Sequence, residues 1–376
     1  MKLTWRWFGE DDTVNLQQIA QIPIIDGIVG TLEGKSANEI WLLDDFASLK
    51  KQVTSQGLSL DVIESIPVAE AIKMGLPQRD ELIDMYCESI RNMGRAGIPV
   101  LCYNFMPVFD WMRTNLRFIL PDNSFVTEYN HQDMLDYDLS QGFEDRVAWA
   151  RGFTGDEIQD ILDEYSAIDE DVLFDNLIYF LERVVPVAEE SGVYLALHPD
   201  DPPWSIFGLP RIVRDTTSIQ RILDAVDSRH NGLTFCTGSL GTSPDNDLPA
   251  MIHQFTDRIN FVHLRNVELI GDHSFIEVDH TASQGNVYAP DIMQALIDIN
   301  YTGPLRPDHG RMIWGETGRI GYGLYDRALG VCIYMDYCKG YVIKTLTIDY
   351  KAMDSISQTF KTIQITESRD MGHKFT

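Results

Sequence analysis

Short runs of β-branched and aromatic residues alternate along this chain with longer segments in which apolar residues recur every three or four positions. The first kind of run reads as a buried strand and the second as an amphipathic helix. Their alternation is the pattern of βα units around a parallel sheet. Strands are predicted over residues 4–9, 24–30, 59–65, 99–106, 194–199, 233–237, 260–264 and 304–308. Helices are predicted over 37–55, 80–96, 172–191, 218–228, 249–258, 290–300 and 325–345, with Gly57, Gly97, Gly192, Gly232 and Gly303 at or near helix ends, where a left-handed residue is wanted. Eight strands each followed by a helix is the count of an α/β (β/α)8 TIM barrel, and a doubly wound open sheet is the competing arrangement.

Residues 108–170 break this rhythm, between the fourth strand and its helix, with many Asp, Glu, Asn and aromatic residues. A connection this long in a compact domain is usually functional, and in a barrel it rises from the C-terminal face, above the site. It is expected to be a lid-like insertion after the fourth strand, the alternative being an oligomer contact. The expected organisation is one barrel domain over 1–346, interrupted by the insertion, with a C-terminal appendage at 347–376.

The last four predicted strands each lead into or include a potential metal ligand: His198, Cys236, His263 and Asp308. A single His or Cys in a strand is commonly a satisfied core residue, and a strand-end Asp is commonly a helix cap. Four in succession argue otherwise, because adjacent strands of a parallel barrel end at one mouth. Two imidazoles, a thiolate and a carboxylate suit a divalent transition metal. Glu64 and Asn104 end the third and fourth strands, and either can orient a hydroxylated substrate. His309, beside Asp308, and Tyr322, on a glycine-flanked turn, are both capable of proton transfer. Arg113, Arg265, Arg306, Arg311 and Arg319 fall in these same segments, where they can bind a carboxylate or pair with surface acids.

Charge narrows the partners. The 376 residues carry 30 Lys and Arg against 57 Asp and Glu, a net charge of −27. Nucleic acid and anionic membrane surfaces are bound through basic residues, so neither is an expected partner. A small anion remains open, since a few arginines or a metal can reverse the potential inside one pocket. The N-terminus lacks an apolar signal region, and the five cysteines are an odd number without a CxxC pair; a cytoplasmic location is expected. Cys87, Cys102, Cys332 and Cys338 sit in apolar patterns and read as small core residues, unlike Cys236.

Four stretches also resemble a known family: Val62-Ile63-Glu64-Ser65-Ile66-Pro67, Tyr103-Asn104-Phe105-Met106-Pro107-Val108-Phe109-Asp110-Trp111-Met112-Arg113-Thr114, His198-Pro199-Asp200-Asp201-Pro202-Pro203 and Arg306-Pro307-Asp308-His309-Gly310 look like mannonate dehydratase. The resemblance spans nearly the whole chain. It implies a xylose-isomerase-like barrel that removes water from D-mannonate to give 2-keto-3-deoxy-D-gluconate in hexuronate catabolism, using Mn²⁺ or Fe²⁺, with Co²⁺ admissible. By that similarity His198, Cys236, His263 and Asp308 are the metal ligands and His309 and Tyr322 the acid and base, in an order left open. Tyr325 is an alternative to Tyr322. Trp7, Glu64, Asn104, Arg113, Arg265 and Arg306 are the expected substrate contacts, and a homodimer is the expected assembly. A sugar isomerase or epimerase on the same barrel, and a non-catalytic sugar-acid-binding protein, are the other readings.

Overall fold

The computed structural model describes residues 1–138, 155–280, 285–332 and 334. Among the described residues twelve strands run in chain order: β1 (Lys2–Arg6), β2 (Gly27–Gly30), β3 (Ser59–Glu64), β4 (Val100–Tyr103), β5 (Asn115–Ile119), β6 (Phe125–Tyr129), β7 (Tyr194–Leu197), β8 (Asn231–Cys236), β9 (Ile259–Leu264), β10 (Asn266–Gly271), β11 (Ser274–Val278) and β12 (Pro304–Pro307). Eight of them, in the order β1, β12, β9, β8, β7, β4, β3, β2, close into a parallel barrel, which decides against the open sheet. All eight predicted strands are present.

The barrel interior is filled by Val29, Val62, Val100, Cys102, Ala196 and Phe261. Buried hydroxyls in the wall are satisfied by neighbouring strands: Thr4 Oγ1 donates to the Leu305 carbonyl at 3.0 Å and Thr234 Oγ1 to that of Ala196 at 2.9 Å. Outside the barrel the helices show ordinary end chemistry. The longest, Glu170–Ser191, is capped by Asp169, whose side chain accepts from the Val172 N–H, and ends at Gly192 with φ of 66°. Its fully buried Phe180 meets Tyr86, Tyr103 and Phe105 with ring centroids 5.1, 6.0 and 5.8 Å away.

The remaining four strands form a separate antiparallel sheet, in the order β10, β11, β6, β5. The pattern reading missed this sheet. Its β5–β6 hairpin lies in the insertion after β4, whereas β10 and β11 follow β9, so two excursions distant in sequence share one sheet. A second apolar core joins Phe109, Met112, Tyr129, Ile158 and Tyr165 from the insertion to Val267 and Phe275 from the β10–β11 hairpin. Glu70, on a helix beside the barrel, accepts hydrogen bonds from the Tyr165 hydroxyl and the Val108 N–H, which ties the insertion to the barrel. The expected appendage at 347–376 and the end of the predicted last helix lie outside the described residues; residues 324–332 are helical. No described helix is long and apolar enough to cross a membrane.

Truncating Phe180 to Ala should lower stability by about 3–5 kcal/mol, the usual cost of emptying a packed aromatic site. Urea unfolding followed by circular dichroism measures it.

Candidate active site

Strand register explains why residues far apart in sequence meet. Cys236 pairs with His263 across β8 and β9, and His263 pairs with Arg306 across β9 and β12. On the other side Glu64 pairs with Cys102 and Tyr103 with Leu197. The ladder continues one residue past two strand ends, with the His198 N–H on the Tyr103 carbonyl at 2.7 Å and the Asp308 N–H on that of Leu264 at 2.9 Å. These bonds hold His198 and Asp308 at the mouth as firmly as strand residues.

Ligand atoms of His198, Cys236 and His263 lie within 4.8 Å of one another, and Asp308 Oδ2 is 3.8 Å from the Cys236 sulfur and 4.0 Å from His263 Nδ1. The structure therefore gathers all four expected ligands. A second group, Glu64, Cys102 and His263, competes for the same imidazole. Electrostatics separates them. Burial alone would raise the Cys236 thiol, but Arg265 and His198 beside it hold it well below the usual range. Burial and then Glu64 drive the Cys102 thiol well above that range, and its sulfur lies 3.2 Å from Thr234 Oγ1. The surroundings of Cys236 thus favour the thiolate form that a metal takes, and those of Cys102 oppose it.

His263 is almost fully buried, yet neither ring nitrogen has a hydrogen-bond partner; its nearest acids are Glu64 at 3.6 Å and Asp308 at 4.0 Å. An imidazole orphaned in this way, beside a thiolate and a carboxylate, is the environment of a metal ligand. His198 Nδ1 lies 2.6 Å from the Pro199 carbonyl, an acceptor, so Nδ1 carries the proton and Nε2 is free for a metal.

The proton-transfer candidates stand next to this group. His309 Nε2 is 2.9 Å from the Tyr322 hydroxyl and 3.7 Å from Asp308 Oδ1, and Trp111 packs edge-on against the imidazole. Tyr325 is exposed and packs on Trp314, so Tyr322 is the tyrosine that reaches His309. Desolvation and the Asp308 carboxylate push the Tyr322 phenol upward, which keeps it protonated.

A cavity of about 130 Å³ is lined by Glu64, Asn104, His198, Arg265, Arg306, Asp308, His309 and Tyr322, together with Asp110, Trp111 and Asp201. A wider one of about 890 Å³ shares Glu64, Asp110, Trp111 and Tyr322 with it and carries Arg6 and Arg319, whose guanidiniums lie 4.3 and 4.0 Å from the Phe8 ring centre. Two expected substrate contacts are placed elsewhere. Trp7 is buried and lines neither cavity. Arg113 is fully buried and spent on carboxylates, with Asp201 at 2.8 Å and Glu277 at 2.9 Å. A guanidinium so desolvated must be paired, and Arg113 is not among the residues that line the cavity.

Sequence reasoning also missed the acids of this network. Asp201 accepts from Arg113 and, at 2.5 Å, from Arg265, and the two guanidiniums overcome burial to hold its carboxyl well below the usual range. Burial opposes ionisation of Glu277 too, but His309 and Arg113 bring it down to about 2. Arg306 binds Glu64 through two nitrogens, at 2.9 and 3.1 Å, and Asp308 at 2.8 Å. Asp201 lay three residues beyond His198 and was findable by adjacency. Glu277 belongs to β11, whose hairpin had a legible turn at Gly271-Asp272-His273 between two runs of alternating residues.

Comparison with known proteins adds the family. The family model for D-mannonate dehydratase matches residues 1–343. The chain is 51% identical over 344 residues to mannonate dehydratase of Thermotoga petrophila, covering 88% of this chain and 95% of that protein. It is 45% identical over 348 residues to that of Oceanobacillus iheyensis, covering 93% of this chain and 100% of the relative. Among solved structures, mannonate dehydratase from Streptococcus suis superposes with a TM-score of 0.83 at 44% identity, over 90% of this chain and 93% of that one. A D-tagatose 3-epimerase-like protein, at 15% identity and a TM-score of 0.55, shares the barrel fold, over 92% of this chain and 100% of that one. With a family match over residues 1–343 and relatives 45–51% identical over most of both chains, the chain belongs to the D-mannonate dehydratase family.

Proposed function

We propose that this protein is a metal-dependent hydro-lyase that converts D-mannonate to 2-keto-3-deoxy-D-gluconate, a step of hexuronate catabolism in the cytoplasm. The observation that carries the reading is the juxtaposition, at one barrel mouth, of a thiol–imidazole–carboxylate donor set with the His309–Tyr322 hydrogen bond. His198, Cys236, His263 and Asp308 would hold the metal, Mn²⁺ or Fe²⁺ with Co²⁺ admissible. When bound it would act as a Lewis acid toward the sugar acid, easing loss of a C2 proton that is otherwise poorly acidic.

The chain's own groups then divide the work. His309 Nε2 takes the C2 proton, and the electron pair of the C–H bond becomes the C2–C3 double bond. Tyr322, kept protonated, gives its proton to the departing C3 hydroxyl, which leaves as water. The resulting enol tautomerises to the 2-keto acid. Proton return from His309 to the Tyr322 phenolate along their 2.9 Å hydrogen bond restores both groups. Glu64, Asn104, Arg265 and Arg306 all stand on the cavity wall, where they can orient the substrate's hydroxyl and carboxylate groups. Assembly as a homodimer belongs to the same reading.

Two experiments test it. Purified enzyme supplied with Mn²⁺ and D-mannonate should form a 2-keto-3-deoxy product, detected with semicarbazide or thiobarbituric acid. His309→Asn and Tyr322→Phe should each keep the metal and lose roughly 10²–10⁴-fold in turnover; an epimer of mannonate as product would instead favour the epimerase reading. For the ligands, Cys236→Ser should lose most of its metal after anaerobic purification, while Cys102→Ser retains it. Equal metal content in these two variants would contradict the ligand assignment.

A further inference from the structure

Glu277 reaches the barrel mouth from β11, a strand of the antiparallel sheet, and is buried there. Its Oε1 lies 2.6 Å from His309 Nδ1, 2.9 Å from Arg113 Nη2 and 3.3 Å from Arg265 Nη1. A carboxylate flanked by two guanidiniums is ionised and accepts only. An unprotonated Nδ1 would then set one lone pair against another at 2.6 Å. Nδ1 therefore carries a proton and donates it to Oε1, and the 3.1 Å approach of Arg265 Nη1 to the same nitrogen is a close contact without a hydrogen bond. In the neutral ring this leaves Nε2 as the acceptor, and the Tyr322 hydroxyl 2.9 Å away donates to it.

We propose that Glu277 is a positioning residue for His309: it fixes the imidazole in the Nδ1–H form and aims Nε2 at the substrate and at Tyr322. The inference rests on the reading of His309 as the proton acceptor. Glu277 touches neither the cavity nor the proposed metal ligands, so it acts through His309. Arg113 acts one step further out, since it is the cation against which the Glu277 charge is placed. Through Arg113 the insertion takes part in the chemistry, because this buried guanidinium holds the carboxylate that orients the base.

The test uses metal-loaded Glu277→Ala and Glu277→Gln enzymes beside the wild type and His309→Asn. Glu277→Ala should lose about 10–10²-fold in kcat, the usual scale for an orienting partner, with KM for mannonate and metal content nearly unchanged. Glu277→Gln should recover part of that loss. Two guanidiniums at Oε1 accept nothing, so an amide would turn its carbonyl toward them and toward Nδ1, and its NH2 toward the Oε2 position, which has no partner. Independently of any Glu277 variant, ¹⁵N-histidine NMR of the wild type, with His309 assigned by its absence from His309→Asn, should show a protonated, hydrogen-bonded Nδ1. A bare Nδ1, or a Glu277→Ala enzyme with wild-type kcat, overturns the proposal, as does a loss confined to KM or metal content. Near-normal turnover by His309→Asn would instead overturn the reading of His309 itself, so the two failures are distinguishable.

Discussion

Three guanidiniums and four carboxylates packed at the mouth of the barrel must neutralise one another, and most of the site follows from how they do so. Arg113, Arg265 and Arg306 are buried, as are Asp201, Glu277 and Asp308, with Glu64 at the cavity edge. Removing a single ion of this size from water costs several kcal/mol, so each must find a partner in fixed geometry. The pairs found are Arg113 with Asp201 and Glu277, Arg265 with the same two acids, and Arg306 with Glu64 and Asp308. This satisfaction makes the site rigid before substrate arrives, which is what proton transfer between positioned groups requires.

The same network explains why the insertion and the hairpin after β9 form one sheet. Arg113 comes from the insertion, Glu277 from the hairpin, Asp201 from the segment after β7 and Arg265 from the end of β9. Each excursion alone would bury an unpaired charge. Docked together, over an apolar core that includes Phe109, Met112 and Phe275, they pair those charges directly beside His309. Close packing is part of the fit: a Cβ at Gly238 would lie 1.8 Å from Arg265 Nε, so only glycine lets that guanidinium lie across the short helix Thr237–Gly241.

The barrel and its proposed ligands were legible in the sequence because each strand was a local, continuous apolar run ending in a chemically distinctive residue. His198, Cys236, His263 and Asp308 needed no knowledge of contacts, since barrel closure alone brings consecutive strand ends together. The antiparallel sheet was not legible in that way. Its hairpins pair across 146 residues, as Tyr129 with Phe275, and no local pattern records such a pairing. Arg113 was noticed as a cation and expected to meet the substrate; its true partners, Asp201 and Glu277, are acids in a chain of 57, and only the fold singles them out. The choice between Tyr322 and Tyr325 was likewise settled by which ring turns inward.

The claim that these buried charges stabilise one another is tested most directly by a double-mutant cycle on Arg113 and Asp201. Stability to urea would be measured for Arg113→Met, Asp201→Asn and the double variant. Each single change should cost about 3–5 kcal/mol, because it unbalances a dry charge network even though Asp201 keeps Arg265 and Arg113 keeps Glu277, and the double change should cost less than the sum by at least about 1 kcal/mol. Costs below about 1 kcal/mol for both single variants, adding without coupling, would contradict the account.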